Sequence, residues 1–187
     1  MNRRTKIAAV AAALLMTAGA AGSAVASGDG AGGGGRGERE GAALTGSAKL
    51  YRPAGDDITM SFDAHLAKDA WPSEATGTFS FSHYKGEFAA AADVKVDCLA
   101  TGGKVAVVTG VITRGEGLLA PAVGKRVGIS VHDTGKGRDR LGYSWMASNN
   151  PLKDEVPKCT SGAPFERTKE GTGDLRVLPW QFEYPTE

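Results

Sequence analysis

From Ser47 onward the apolar residues of this chain recur at every second position, and that period of two constrains the fold more than any other feature. Ile58, Met60, Phe62 and Ala64 alternate with Thr59, Ser61, Asp63 and His65. Phe79 and Phe81 alternate with Ser80 and Ser82, and Val94, Val96 and Cys98 with Lys95 and Asp97. Val127, Ile129 and Val131 form a fourth set, Leu141, Tyr143 and Trp145 a fifth, and the tail from Leu175 to Phe182 another, in which Pro179 marks an edge or a bulge. No window of a dozen residues carries a helical stripe. With a short first strand near Lys49 to Tyr51, the reading is an all-β domain: an antiparallel barrel or sandwich of about eight strands.

Two hairpins can be registered from these patterns. A two-residue turn at Gly102-Gly103 sets Cys98 opposite Val107, Val96 opposite Thr109 and Val94 opposite Val111, with Cys98 pointing into the core. That strand is apolar on both faces (Leu99, Val108, Ile112), and Leu118 to Val123 is the expected cover. In the second hairpin, matching apolar faces pairs Val131 with Leu141, Ile129 with Tyr143 and Val127 with Trp145. A seven-residue loop, Asp133 to Asp139, connects them.

The amino terminus reads as an address. A basic stretch (Arg3, Arg4, Lys6), an apolar run from Ile7 to Thr17 and Ala24-Val25-Ala26 make a secretory signal cleaved before Ser27. The run is too short to span a bilayer, so membrane insertion after cleavage is not expected. Lys6 disfavours the twin-arginine route, and no lipoprotein cysteine follows. Residues 27–46 hold nine glycines and are read as a disordered spacer, which leaves 47–187 as a single β domain. The chain has 22 basic and 21 acidic residues. Without Arg3, Arg4 and Lys6 the net charge is about −2, which argues against nucleic acid and anionic membrane as partners.

Cys98 and Cys159 are the two cysteines, and in an exported chain an oxidised pair is expected. The stretch from Ser148 to Gly173, rich in proline, would then be stapled by Cys159, as a crossover or as a binding loop over one end of the fold. Asp133 and Asp139 face each other at the base of their loop, and a calcium ion between them would relieve the repulsion of like charges. The alternative is neutralisation by Lys136, Arg138 and Arg140 together with Asx-turns; the spacing is not that of an EF-hand. His65, His83 and His132 lie on separate strands, without the spacing of a zinc site. His83 shares a face with Phe79 and Phe81, and a pocket at the barrel end is expected from His83, Tyr143 and Trp145. Trp71 is a surface aromatic that could meet a ligand or pack on its own loop. No nucleophile elbow, zinc-protease helix or phosphate loop is present, and no cofactor is expected.

Several blocks carry a resemblance: Ser47 to Pro53, Val96 to Gly103, Val123 to Val131, Asp139 to Trp145, and Cys159 followed by Ala163-Pro164-Phe165. The chain resembles a family of small secreted actinobacterial proteins, some labelled "repetin", whose function is not established. The resemblance implies export, a β-rich fold and the Cys98–Cys159 pair, and it supplies no catalytic residues. The expected function is a non-catalytic extracellular module that binds a small ligand, wall polymer or protein. The alternatives are a structural envelope protein, or an enzyme using His83 or His132 with Asp97, Asp133 or Asp139.

Overall fold

The computed structural model describes residues 40–135, 137–144 and 156–181. The leader, most of the glycine-rich stretch, Lys136 and Trp145 lie outside the described residues. Among the described residues nine strands form one antiparallel sheet: β1 (Glu40–Lys49), β2 (Asp57–Ala67), β3 (Thr76–Lys85), β4 (Phe88–Gly102), β5 (Val105–Gly117), β6 (Arg126–His132), β7 (Arg140–Tyr143), β8 (Glu166–Arg167) and β9 (Asp174–Leu178). The order is β8-β7-β6-β5-β4-β3-β2-β1-β9, curled into a half-barrel. The first strand starts at Glu40, with Ala42 and Leu44 fully buried. The spacer reading of 27–46 therefore overlaps the domain by seven residues, because short Ala and Gly side chains hid a real alternation.

One apolar cluster fills the inner face. Phe62 and Phe79 pack ring on ring at 5.9 Å, between Met60 and Leu44 on one side and Val94 and Ile112 on the other. Each fully buried chain of this size contributes about 1.5–3 kcal/mol of transfer free energy.

The second hairpin has the expected register, Val131 opposite Leu141 and Ile129 opposite Tyr143. The first does not. Its turn is Gly103-Lys104, and Cys98 stands opposite Thr109 rather than Val107. Asp97 and Thr113 are each skipped in the ladder, so β4 and β5 both carry a bulge. The bulge at Asp97 reverses the alternation. Val94 and Val96 face the core, but beyond the bulge it is Leu99 that does so, and Cys98 faces outward. Leu99, Val108 and Ile112 therefore belong to the one core, and no second apolar face needs covering by Leu118 to Val123. That segment instead turns at the strand ends and buries Ala122.

Residues 156–165 cover the outer face around Cys98. The Cys98–Cys159 disulfide anchors them, with Cα atoms 5.2 Å apart. The Cys159 N–H donates to Thr109 Oγ1 (3.2 Å), whose hydroxyl donates to Asp97 Oδ1 (2.6 Å). Arg126 pairs with Asp97 through Nε (2.7 Å) and reaches the Val156 carbonyl. Two glycines make room for this strap. A Cβ at Gly128 would lie 2.4 Å from the Thr160 carbonyl oxygen, and one at Gly142 would lie 3.0 Å from two strap carbonyls. Gly128→Ala is expected to destabilise the domain by about 1–3 kcal/mol in urea unfolding. Gly102→Ala, which meets nothing within 4 Å, should change stability by less than about 0.5 kcal/mol.

Candidate functional site: an outer hydroxyl furrow

Asp133 and Asp139 do face one region, and what fills it is strand β9. Asp139 is fully buried; Oδ2 accepts the Leu175 N–H (2.8 Å) and Oδ1 the Thr134 N–H (3.0 Å). Asp133 accepts the Val177 N–H (3.1 Å), the Gly135 N–H (3.0 Å) and the Lys104 ammonium (3.1 Å). Burial opposes ionisation of Asp133, but these donors outweigh it and hold the carboxyl below its ordinary value. Leu175 and Val177 turn these N–H groups away from β1, so the two carboxylates tie β9 to the β6–β7 connection, beside the backbone bridge between Leu50 and Thr168. Where the sequence suggested a calcium ion, backbone amides and the Lys104 ammonium meet the two carboxylates, and among the described residues no cluster suited to a metal ion occurs. Arg138 and Arg140 are exposed, and the cation beside Asp133 is Lys104, from the neighbouring turn.

The barrel-end reading divides into two separate clusters. His83, on β3, donates through Nε2 to Asp56 Oδ1 (2.7 Å), and its ring lies 4.7 Å from that of Phe88, tilted by 55°. The bonds of Asp56 to His83, then to Lys85, depress its carboxyl pKa. Tyr143 stands on β7, four strands further along the sheet, beyond β4, β5 and β6. Its hydroxyl accepts from Arg52 (2.7 Å), and Arg52 grips Glu166 with both terminal nitrogens. Burial, then the charge of Glu166, pushes the phenol pKa up. Asp97, Asp133 and Asp139, the carboxylates of the enzymatic alternative, are all engaged with structural donors. His132 is half-buried opposite Val105 and Arg140. Trp71 does not pack on its loop: its ring is 76% exposed at the head of a short 3-10 turn, Pro72–Glu74.

A feature with the shape of a site lies on the outer face of β2 to β5. Met60, Phe62, Phe79, Phe81, Ala92 and Val94 point inward, so the residues between them point out. Strand register aligns them in rows. Ser47, Ser61, Ser80, Asp93 and Arg114 form one row across five strands; Lys49, Thr59, Ser82, Ala91 and Glu116 form the next. Thr45, Asp63, Thr78 and Lys95 form a third. Neighbours in a row are about 4.8 Å apart and rows about 7 Å apart. Exposed strands are ordinarily covered by long polar stems. Here the central positions hold only Ser, Thr and Ala, and the sheet is left as a furrow. It consists of two depressions of about 170 and 260 Å³ that share Ser61, Ser80 and Asp93.

The rims are charged and organised. Arg114 lies between Asp93 (3.7 Å) and Glu116, and Lys49 is paired with Asp57 at 2.7 Å. Tyr84 follows Ser82 on the same face and is 46% exposed. Asp63 stands at the far end, 2.8 Å from the His65 ring. Inside, Ser47 Oγ and Ser61 Oγ are 2.8 Å apart. A hydroxyl both donates and accepts, so this array can match alcohol groups in either role. The imidazoles of His65 and His83 are bonded to carboxylates, so neither is hydrogen-bonded as a base to these furrow serines. The sequence held the signal in plain form, a Ser or Thr at each of positions 59, 61, 78, 80 and 82. Only the register shows that they adjoin.

No known protein family, curated protein or solved structure matches this chain.

Proposed function

We propose that this is a secreted, non-catalytic binding domain whose ligand is a neutral, polyhydroxylated chain, a glycan of the cell wall, laid along the outer furrow. The observation that carries the reading is the unbroken block of short hydroxyl side chains at the outward positions of β2 and β3, flanked by paired charges. Sugar hydroxyls match Ser and Thr in both hydrogen-bonding roles, and Asp63 and Asp93 accept from vicinal hydroxyls. Tyr84 offers a ring face at one end of the furrow. The near balance of acid and base along the rims disfavours a polyanion. The leader-like amino terminus and the Cys98–Cys159 bond support an oxidising destination.

The test is titration of the purified chain with soluble glycan strands of N-acetylglucosamine and with a glucan, both neutral, followed by amide chemical shifts. Perturbations should centre on Ser61, Ser80, Ser82 and Asp93. Ser80→Trp fills the furrow and is expected to weaken binding at least about tenfold. The thermal midpoint should move little, because the position faces outward. Shifts confined to Val105, Leu178 and Trp180, at the opposite strand ends, would overturn the reading.

A further inference from the structure

The far end of the furrow holds an arrangement that hydroxyl recognition alone does not explain. His65 points outward from β2 between two carboxylates: Nε2 is 2.8 Å from Asp63 Oδ1, and Nδ1 meets Glu40 Oε1. A neutral imidazole carries one N–H, so it can donate to only one of them. Both contacts are hydrogen bonds only when the ring is the imidazolium. Side-chain exposure then decides which partner yields when the proton leaves. Glu40 is 21% exposed and His65 26%, whereas Asp63 is 73% exposed and free to swing. Asp63 lines the furrow.

We propose that His65 is a positioning residue for the furrow: protonated, it holds Asp63 against the groove with one oxygen and leaves the other for ligand; neutral, it releases it. The binding role rests on the furrow reading above. The other groups around the ring do not substitute for this contact. On β3, Thr76 stands opposite His65 and Thr78 opposite Asp63, and neither is charged. Lys95 on β4 is opposite Thr78, one strand further away. On β9, Arg176 is bonded to Asp174 (3.2 Å), and Lys68 lies past the end of β2. Burial of the ring opposes the charge, but the bonds to Asp63 and then Glu40, with their negative charges, raise its pKa above the ordinary value. The stability contributed by the clasp is therefore complete below about pH 6.5, and it is lost as pH rises through the raised value.

The experiment follows the His65 ring and the Asp63 side-chain carboxyl by NMR from pH 5 to 10, in the wild-type chain and in His65→Gln. In parallel, affinity for the glycan strands is measured at each pH. The expected result is a midpoint above the ordinary histidine range, a step in the Asp63 carboxyl at that same midpoint, and no such step in His65→Gln. Binding should weaken about tenfold across the step in wild type and stay flat in the variant. An Asp63 carboxyl with no step at the His65 midpoint would overturn the inference, whatever the glycans do. A shared step with no glycan binding at any pH would sink the furrow reading and the binding role together.

Discussion

Reducing the Cys98–Cys159 bond is expected to lower the thermal midpoint by on the order of 10 °C. The bond spans 61 residues, and closing a loop of that length removes about 4 kcal/mol of chain entropy from the unfolded state. For a domain of about 150 residues that converts to roughly 2–4 °C per kcal/mol. The effect should also be local. Among the described residues, Thr109 and Arg126, themselves bridged by Asp97, also hold the strap of residues 156–165 to the sheet, and Lys158 reaches the Ser73 carbonyl. Hydrogen exchange should therefore quicken first at Cys159 and at the β5–β6 amides beneath the strap. A Cys98→Ser, Cys159→Ser chain whose midpoint falls by less than about 3 °C would show that the non-covalent anchors are sufficient.

The second large effect is expected at Asp139. Its carboxylate is buried and satisfies the N–H groups of Leu175 and Thr134. Asp139→Ala leaves the buried Leu175 N–H without a partner and returns the exposed Thr134 N–H to water, and about 2 kcal/mol of stability should be lost in urea unfolding. Asp139→Asn keeps one accepting oxygen and should lose less. At Asp133, a carboxyl held below its ordinary value, stability is present above about pH 3.8 and disappears as pH falls through the depressed value. Asp133→Asn should therefore flatten the acid limb of the stability profile. An acid limb unchanged by Asp133→Asn would remove this residue from the edge contact.

The elements that were legible in the sequence are those whose partners lie nearby. Val127 to Val131 and Leu141 to Tyr143 alternate cleanly, and matching their apolar faces gave the observed register. The hairpin from Val94 to Ile112 failed because a bulge adds a residue without a signature of its own. Its trace was the apolar pair Cys98-Leu99, read as a strand covered on both faces. Glu40 to Gly46 was lost to composition: Gly46 sits in a ladder, and Gly41 at the bulge before it, where a spacer reading anticipates neither. Asp133 and Asp139 looked like metal ligands because two carboxylates need something positive. Their partners, the amides of Val177 and Leu175, are 44 and 36 residues further along. The furrow was hidden for the same reason, since alternating serines look like ordinary solvent-facing positions until three strands are laid side by side.

The contact between Asp133, Asp139 and β9 also sets an order of events in time. During synthesis both aspartates emerge well before Asp174 to Leu178, so for that interval two carboxylates face each other without the amides that later satisfy them. A chain ended at Gly173 should stay in that condition permanently: competent in every hairpin from β1 to β7, yet unable to exclude water from its edge. Strand β9 is thus the element whose arrival closes that edge.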